Sequence, residues 1–146
     1  MKVGVIGGGS WGTALAKLLA DKGFEVEIWC YDQGLDDTIN ESHENNIYLP
    51  DIILPDNLRA TNDLERVVTS KDMILSVSPS HVVRQVLSSV ADKIDDCTPI
   101  VSATKGIEND SLMLVSDILE DVLPAKHHPY LAYLSGPSFA REVANH

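Results

Sequence analysis

The chain is short of cysteine, of long apolar runs and of positive charge. Only two of its 146 residues are cysteines, Cys30 and Cys97. They follow no ligand or disulfide spacing, which argues against a stapled framework or a zinc site and for a reduced, cytoplasmic setting. No stretch approaches the ~20 apolar residues that a membrane-spanning helix needs. Met1-Lys2 leads straight into a patterned strand with no cleavage-type segment behind it, so no signal peptide is expected. Lysine and arginine number 11 against 22 aspartates and glutamates, for a formal net charge of −11. Such a field disfavours nucleic acid or an anionic membrane surface as partner. The acids are scattered (Asp36, Asp37, Asp92, Asp95, Asp96, Glu120, Asp121) and read as solvated faces. Internal repeats and low-complexity stretches are also missing. His127-His128 has no further ligand at metal spacing and reads as exposed loop.

What is present is 44% apolar residues, enough to bury one core, so residues 1–146 are expected to form one domain. Short apolar runs alternate with helix-period segments. The runs Lys2–Ile6, Glu25–Cys30, Leu58–Thr61, Met73–Val77, Pro99–Ser102 and Leu131–Ser135 read as strands. Trp11–Lys22 sets Trp11, Leu15, Leu18 and Leu19 on one helical face, and Gly23 follows as a stop. Ser80–Ala91 repeats the pattern with Val82, Val83, Val86, Leu87 and Val90, with Ser80 as its cap. A third helix is expected from near Asp110 to Pro124. Alternation of this kind predicts an α/β fold, a doubly wound parallel sheet of the Rossmann type with helices on both faces. Asn45–Asn57, with two prolines and no clean period, reads as a long irregular connection. It is either functional or a surface loop pinned by Tyr48 and Leu54.

The first strand runs into Gly7-x-Gly9-x-x-Gly12 at the head of the first helix. In that position each glycine has its own task. Gly7 permits the tight turn, Gly9 lets the backbone approach a pyrophosphate, and Gly12 lets the helix lie close on the sheet. The helix N-terminus then presents free N–H groups and a positive dipole end to phosphate.

Ligands of open α/β sheets bind beyond the carboxyl ends of the strands. The pattern brings several segments to that edge: Ser10-Trp11, Tyr31-Asp32, Ser78-Pro79-Ser80, Thr104-Lys105-Gly106 and Gly136-Pro137-Ser138. Asp32 lies 20 residues after Gly12, near the spacing of the acid that accepts a ribose 2′-hydroxyl. Lys105 is a cation at a strand end in an acidic chain, suited to pair a phosphate or polarise a carbonyl. Gly136-Pro137-Ser138 precedes Phe139-Ala140-Arg141-Glu142, where the Ser138 hydroxyl is expected to cap a new helix and form a second anion-binding corner.

Four blocks together resemble the NAD(P)-dependent glycerol-3-phosphate dehydrogenases: Gly7–Ala16, Asn45–Pro50, Thr104–Gly106 and Leu134–Ala140. The Ser-Gly-Pro-Ser-Phe-Ala block is far more specific than the glycine triplet. Gly8 stands where alanine is frequent and Asp51 where glycine is frequent. The resemblance implies reversible reduction of dihydroxyacetone phosphate, a phosphorylated triose, to sn-glycerol 3-phosphate for phospholipid synthesis in the cytoplasm. It implies cofactor contacts from Ser10, Trp11, Tyr31 and Ala140. It also implies that Lys105 faces both cofactor and substrate, and that Gly136 and Ser138 hold the substrate. In the family the proton-transferring lysine lies in a helical domain that follows, so the chain is expected to bind dinucleotide without turning over. The resemblance leaves room for a homodimer of the full-length protein. Two other readings stay open on the residues alone: a related two-domain hydroxy-acid dehydrogenase, and a dinucleotide-binding module with no reaction of its own.

Asp32 can accept from a 2′-hydroxyl but repels a 2′-phosphate, and residues 30–40 hold three aspartates and no cation. The nearest downstream basic residue is His43. NAD is therefore expected to bind at least about tenfold more tightly than NADP. Titration with both nucleotides checks this, and equal or tighter binding of NADP would show that Asp32 points away from the ribose.

Overall fold

The computed structural model describes residues 1–145. Its main sheet has six strands: β1 (Lys2–Ile6), β2 (Glu25–Trp29), β5 (Leu58–Thr61), β6 (Met73–Ser76), β7 (Ile100–Ser102) and β8 (Leu131–Tyr133). They lie in the order β5-β2-β1-β6-β7-β8, and every pairing is parallel. From β1 the chain builds outward through β2 and β5, then returns to the other side of β1 with β6. That reversal opens a crevice beyond the carboxyl ends of β1 and β6. The six strands match the sequence expectation to within two residues at each end.

Both sheet faces are covered, as parallel strands with apolar residues on each side require. On one face Val3, Val5, Val26, Ile28 and Leu75 pack with Ala14, Leu15 and Ala16 of helix α1 (Ser10–Asp21). Helix α2 (Leu35–Ser42) and helix α6 (Ala140–Ala144) join that core through Leu35, Ile39 and Ala144. On the other face Ile6, Ile74 and Ile100 meet helices α3 (Leu64–Val68), α4 (Ser80–Ser88) and α5 (Val115–Val122). Gly23 ends α1 as expected, with φ +86°. Its N–H donates to Ala20 O at 2.9 Å and the Phe24 N–H to Leu19 O at 3.3 Å, the paired bonds of a Schellman close.

Several expectations are corrected. The connection after Asn45 is not irregular throughout: β3 (Glu44–Asn45) and β4 (Leu49–Ile53) form an antiparallel hairpin, which buries Leu49, Ile52 and Leu54. Helix α5 begins at Val115, because residues 107–114 fold back on themselves. Ile107 bridges Leu114, and the Glu108 N–H donates to Met113 O. The Asp117 carboxylate then accepts from the Leu114 N–H at 3.2 Å and starts the helix. Ser80 is not a cap. Pro79, with φ −56° and ψ 144°, is the extended residue ahead of α4 and makes Ser80 the first helical position. Helices α2 and α3 were not expected from the pattern.

His127 is also corrected. A 3₁₀ segment over Ala125–Tyr130 turns it inward until it is fully buried, with no partner for Nδ1 or Nε2 among the described residues. Burial lowers its pKa; Lys126 and His128 push the same way, and Asp96 pulls back. Because the folded-state pKa lies below the unfolded value of ~6.5, the contribution is complete above that pH and is lost as pH falls through it. The urea midpoint should therefore fall between pH 7.5 and 5.5, and His127→Leu should flatten that slope. An unchanged slope would place the pH dependence elsewhere.

Candidate functional site

The turn between β1 and α1 is dictated by contact distances. Gly7 sits at φ +125°, where L side chains are strained, and a Cβ there would stand 3.0 Å from the Val77 carbonyl carbon. A Cβ on Gly12 would lie 1.9 Å from the Gly7 carbonyl oxygen, so the helix can rest on the turn only without a side chain. Gly9 differs, because a Cβ there would meet nothing within 4 Å. Packing leaves room for a side chain at Gly9, and its absence keeps open space above the helix N-terminus. No side chain caps α1, and no acid stands in its first turn. The N–H groups of that turn therefore keep their positive end for an anion.

A cavity of about 880 Å³ opens from this turn. Its lining includes Gly7, Gly9, Ser10, Trp11, Gly12, Tyr31, Asp32, Ser78, Pro79, Lys105, Ser138 and Ala140. Of the residues that the sequence brings to this edge, Ser80, Gly106, Gly136 and Pro137 stand outside this lining. Ser78 borders the cleft but is buried, with its hydroxyl 3.4 Å from Ile6 O. The Thr104 hydroxyl donates to Ser78 O at 2.9 Å, tying the ends of β6 and β7 together.

Lys105 Nζ donates to the carbonyl of Ser138 at 3.3 Å and lies 5.3 Å from the centroid of the Trp11 ring, within cation–π range. The ammonium thus joins the glycine turn to the Leu134–Ala140 block. The loop that carries it is anchored from behind. Arg84 of α4 grips Glu108 with both arms, Nε to Oε1 at 2.9 Å and Nη2 to Oε2 at 3.1 Å, and also pairs with Asp121. Arg84 and the Ser111 hydroxyl hold the Glu108 pKa below its ordinary value.

The corner at Ser138 is corrected. Phe139, extended at φ −112° and ψ 134°, precedes α6, and no side chain caps that helix. Ser138 presents its carbonyl to Lys105 instead.

Two residues belong to the site that the sequence reading did not assign to it. Asn45 is fully buried and donates through Nδ2 to Gly8 O and Thr13 Oγ1, both at 2.8 Å. It clamps the hairpin to the glycine turn. Tyr48 then reaches the rim, where its hydroxyl donates to Asp32 Oδ2 at 2.7 Å. The available signal was the block Asn45–Pro50, whose role could not be read without the hairpin. The two departures from the family pattern also find reasons. An alanine Cβ at position 8 would come 2.6 Å from Cys30 Sγ, so Gly8 accommodates that cysteine. Asp51 occupies the left-handed region at φ +67°, which explains why glycine suits that position elsewhere. Cys30 itself is inert, since burial, with Asp36 and Asp32 nearby, pushes its thiol pKa up to about 12.

A parallel sheet with a glycine-lined crevice at its reversal point, an uncapped helix N-terminus and an acid at the end of the second strand defines a Rossmann-type dinucleotide-binding fold. Comparison with known proteins narrows the class. The profile of the family described as NAD-dependent glycerol-3-phosphate dehydrogenase N-terminus matches residues 2–146. A glycerol-3-phosphate dehydrogenase (NAD(P)+) of Leptospira biflexa is 52% identical over 98% of this chain and 43% of its own length. The crystal structure of glycerol-3-phosphate dehydrogenase from Coxiella burnetii superposes with a TM-score of 0.88 at 36% identity, covering 99% of this chain and 43% of that one. The yeast enzyme from Saccharomyces cerevisiae gives 0.86 at 33% identity, covering 99% of this chain and 44% of that one. The chain belongs to the NAD-dependent glycerol-3-phosphate dehydrogenase family and corresponds to its N-terminal part. It spans under half the length of these relatives.

The contrast between two glycines gives a direct test. Gly9→Ala should fold with a thermal midpoint within a few degrees of the parent yet lose at least about tenfold in dinucleotide affinity, since the methyl fills the space left for pyrophosphate. Gly12→Ala should lose stability first, because its methyl meets a backbone carbonyl. Calorimetric titration with NADH and thermal unfolding check both; normal binding by Gly9→Ala would mean that pyrophosphate does not sit there.

Proposed function

We propose that the chain is the cofactor-binding part of a cytoplasmic glycerol-3-phosphate dehydrogenase that interconverts dihydroxyacetone phosphate and sn-glycerol 3-phosphate for glycerophospholipid synthesis. Family membership supports the activity. The observation that carries the site assignment is Lys105, which bridges the glycine turn and the Ser138 block. No helix among the described residues is long and apolar enough to cross a membrane.

The residues fit a dinucleotide. The open space above Gly9, the uncapped α1 and the cleft volume suit its pyrophosphate and the groups on either side. When bound, NAD(H) supplies the hydride chemistry. In this reading the backbone from Gly7 to Gly12, with Ser10 and Trp11, holds the pyrophosphate. Tyr31 and Asp32 hold the adenosine ribose, and Ser78, Pro79 and Ala140 border the path of the cofactor. Lys105 supplies positive charge to the substrate beside Ser138, in a chain whose overall charge repels anions. The Trp11 face and the Ser138 carbonyl orient that ammonium before substrate arrives, so little reorganisation is left for the reaction. By the family resemblance, the proton-transferring lysine would come from a helical domain of the full-length protein.

In the full-length enzyme, Lys105→Met should lower kcat/KM for dihydroxyacetone phosphate by about 10²–10³-fold, or roughly 3–4 kcal/mol, with stability intact. NADH oxidation dependent on dihydroxyacetone phosphate measures it. Unchanged kcat/KM would return Lys105 to an ordinary surface lysine. Absence of any turnover of dihydroxyacetone phosphate by the unmutated enzyme would overturn the substrate assignment.

A further inference from the structure

Tyr48, in the turn between β3 and β4, and Asp32, in the turn after β2, lie 16 positions apart and meet at the rim of the cleft. The backbone is fixed at both ends of this contact. The Tyr48 N–H donates to Asn45 Oδ1 at 3.1 Å, and buried Asn45 is itself bonded to Gly8 and Thr13 of the glycine turn. On the other side, Asn62 Nδ2 donates to the carbonyls of Cys30 and Tyr31 at 2.7 and 3.1 Å, holding the turn that leads into Asp32. The hydroxyl and the carboxylate are thus presented to each other by two anchored segments.

A carboxylate offers two oxygens and about four lone-pair positions. Tyr48 takes one on Oδ2, which leaves Oδ1 and the remaining positions to accept from sugar hydroxyls. An unrestrained aspartate facing a 2′-phosphate could turn out into water and relieve the repulsion. Held by the Tyr48 hydroxyl, it loses that escape. Cationic relief is also scarce. The basic residues of the cleft lining are Lys105, engaged with Ser138 and Trp11, and His81 on α4. His43 turns toward Asp56, with Nδ1 3.6 Å from its carboxylate.

We propose that Tyr48 is a positioning residue for nucleotide choice: by holding Asp32 in place at the ribose subsite, it makes the site reject a 2′-phosphate. The proposal rests on the dinucleotide reading given above. The bond requires a protonated tyrosine, and the neighbouring carboxylate raises the Tyr48 pKa above its ordinary value, which keeps the donor in place at neutral pH.

The test uses ADP-ribose and its 2′-phosphate, which differ only at the group in question, titrated calorimetrically into the protein and three variants. The unmutated protein should prefer ADP-ribose. Tyr48→Phe, which keeps the ring, should cut that preference about three- to tenfold, the range of an ordinary net hydrogen bond. Asp32→Asn should cut it at least as far, and adding Tyr48→Phe to Asp32→Asn should change it by less than about twofold, since the tyrosine acts only through the acid. A preference unchanged in Tyr48→Phe, or an equal effect of that substitution with and without Asp32, would overturn the proposal. So would an unmutated protein indifferent to the 2′-phosphate. Failure of both ligands to bind the unmutated protein would instead overturn the dinucleotide reading on which the proposal stands.

Discussion

The close contact between Gly12 and the carbonyl of Gly7 governs the whole mouth of the sheet. With 1.9 Å between that oxygen and the place a Cβ would occupy, α1 rests on the turn at a distance no other residue permits. That approach aims the helix N-terminus across the carboxyl ends of β1 and β6. It leaves the Gly8 carbonyl within reach of Asn45, and through Asn45 it fixes the hairpin that carries Tyr48. A shift of the helix away from the sheet would loosen all of these together. The amides at the head of α1 and the Asp32 carboxylate at the cleft rim therefore depend on one steric constraint rather than on separate local preferences.

Electrostatics complete the arrangement. A chain with a net charge of −11 must concentrate positive potential where an anionic ligand is to sit. It does so with the dipole end of α1 and with Lys105. The lysine is held by a carbonyl and an aromatic face, both without formal charge, so its own charge is not cancelled by a carboxylate. The acids nearby are engaged elsewhere: Glu108 is gripped by Arg84, and Asp32 accepts from Tyr48.

The strands were legible because buried parallel strands read as short apolar runs, and β1 and β5 fall where the pattern put them. Helix α1 was legible from its apolar stripe and its glycine stop. Helix α2 was not, because its eight residues bury only Leu35 and Ile39 and it starts from a left-handed Gly34. Helix α3 has five residues, too few for a period to show. The hairpin hid behind two prolines and a left-handed Asp51. His127 was misread because its polarity suggested a surface loop, while the 3₁₀ turn that carries it inward has no signal of its own. At the site, the glycines, Asp32 and Lys105 carried spacing or position that pointed to the cleft they line. Asn45 and Tyr48 did not, since their partners lie 37 and 16 positions away and meet them only after the fold is formed.

The central claim is that the first turn of α1, shaped by the glycine turn, receives the pyrophosphate of a dinucleotide. The measurement that reaches it most directly is the amide ¹H–¹⁵N spectrum of the protein titrated with inorganic pyrophosphate. The account predicts that the largest saturable shifts fall on the N–H groups from Gly9 to Gly12, with smaller ones at Lys105. Shifts confined to scattered surface lysines and arginines, with the Gly9–Gly12 amides unmoved at saturation, would contradict it.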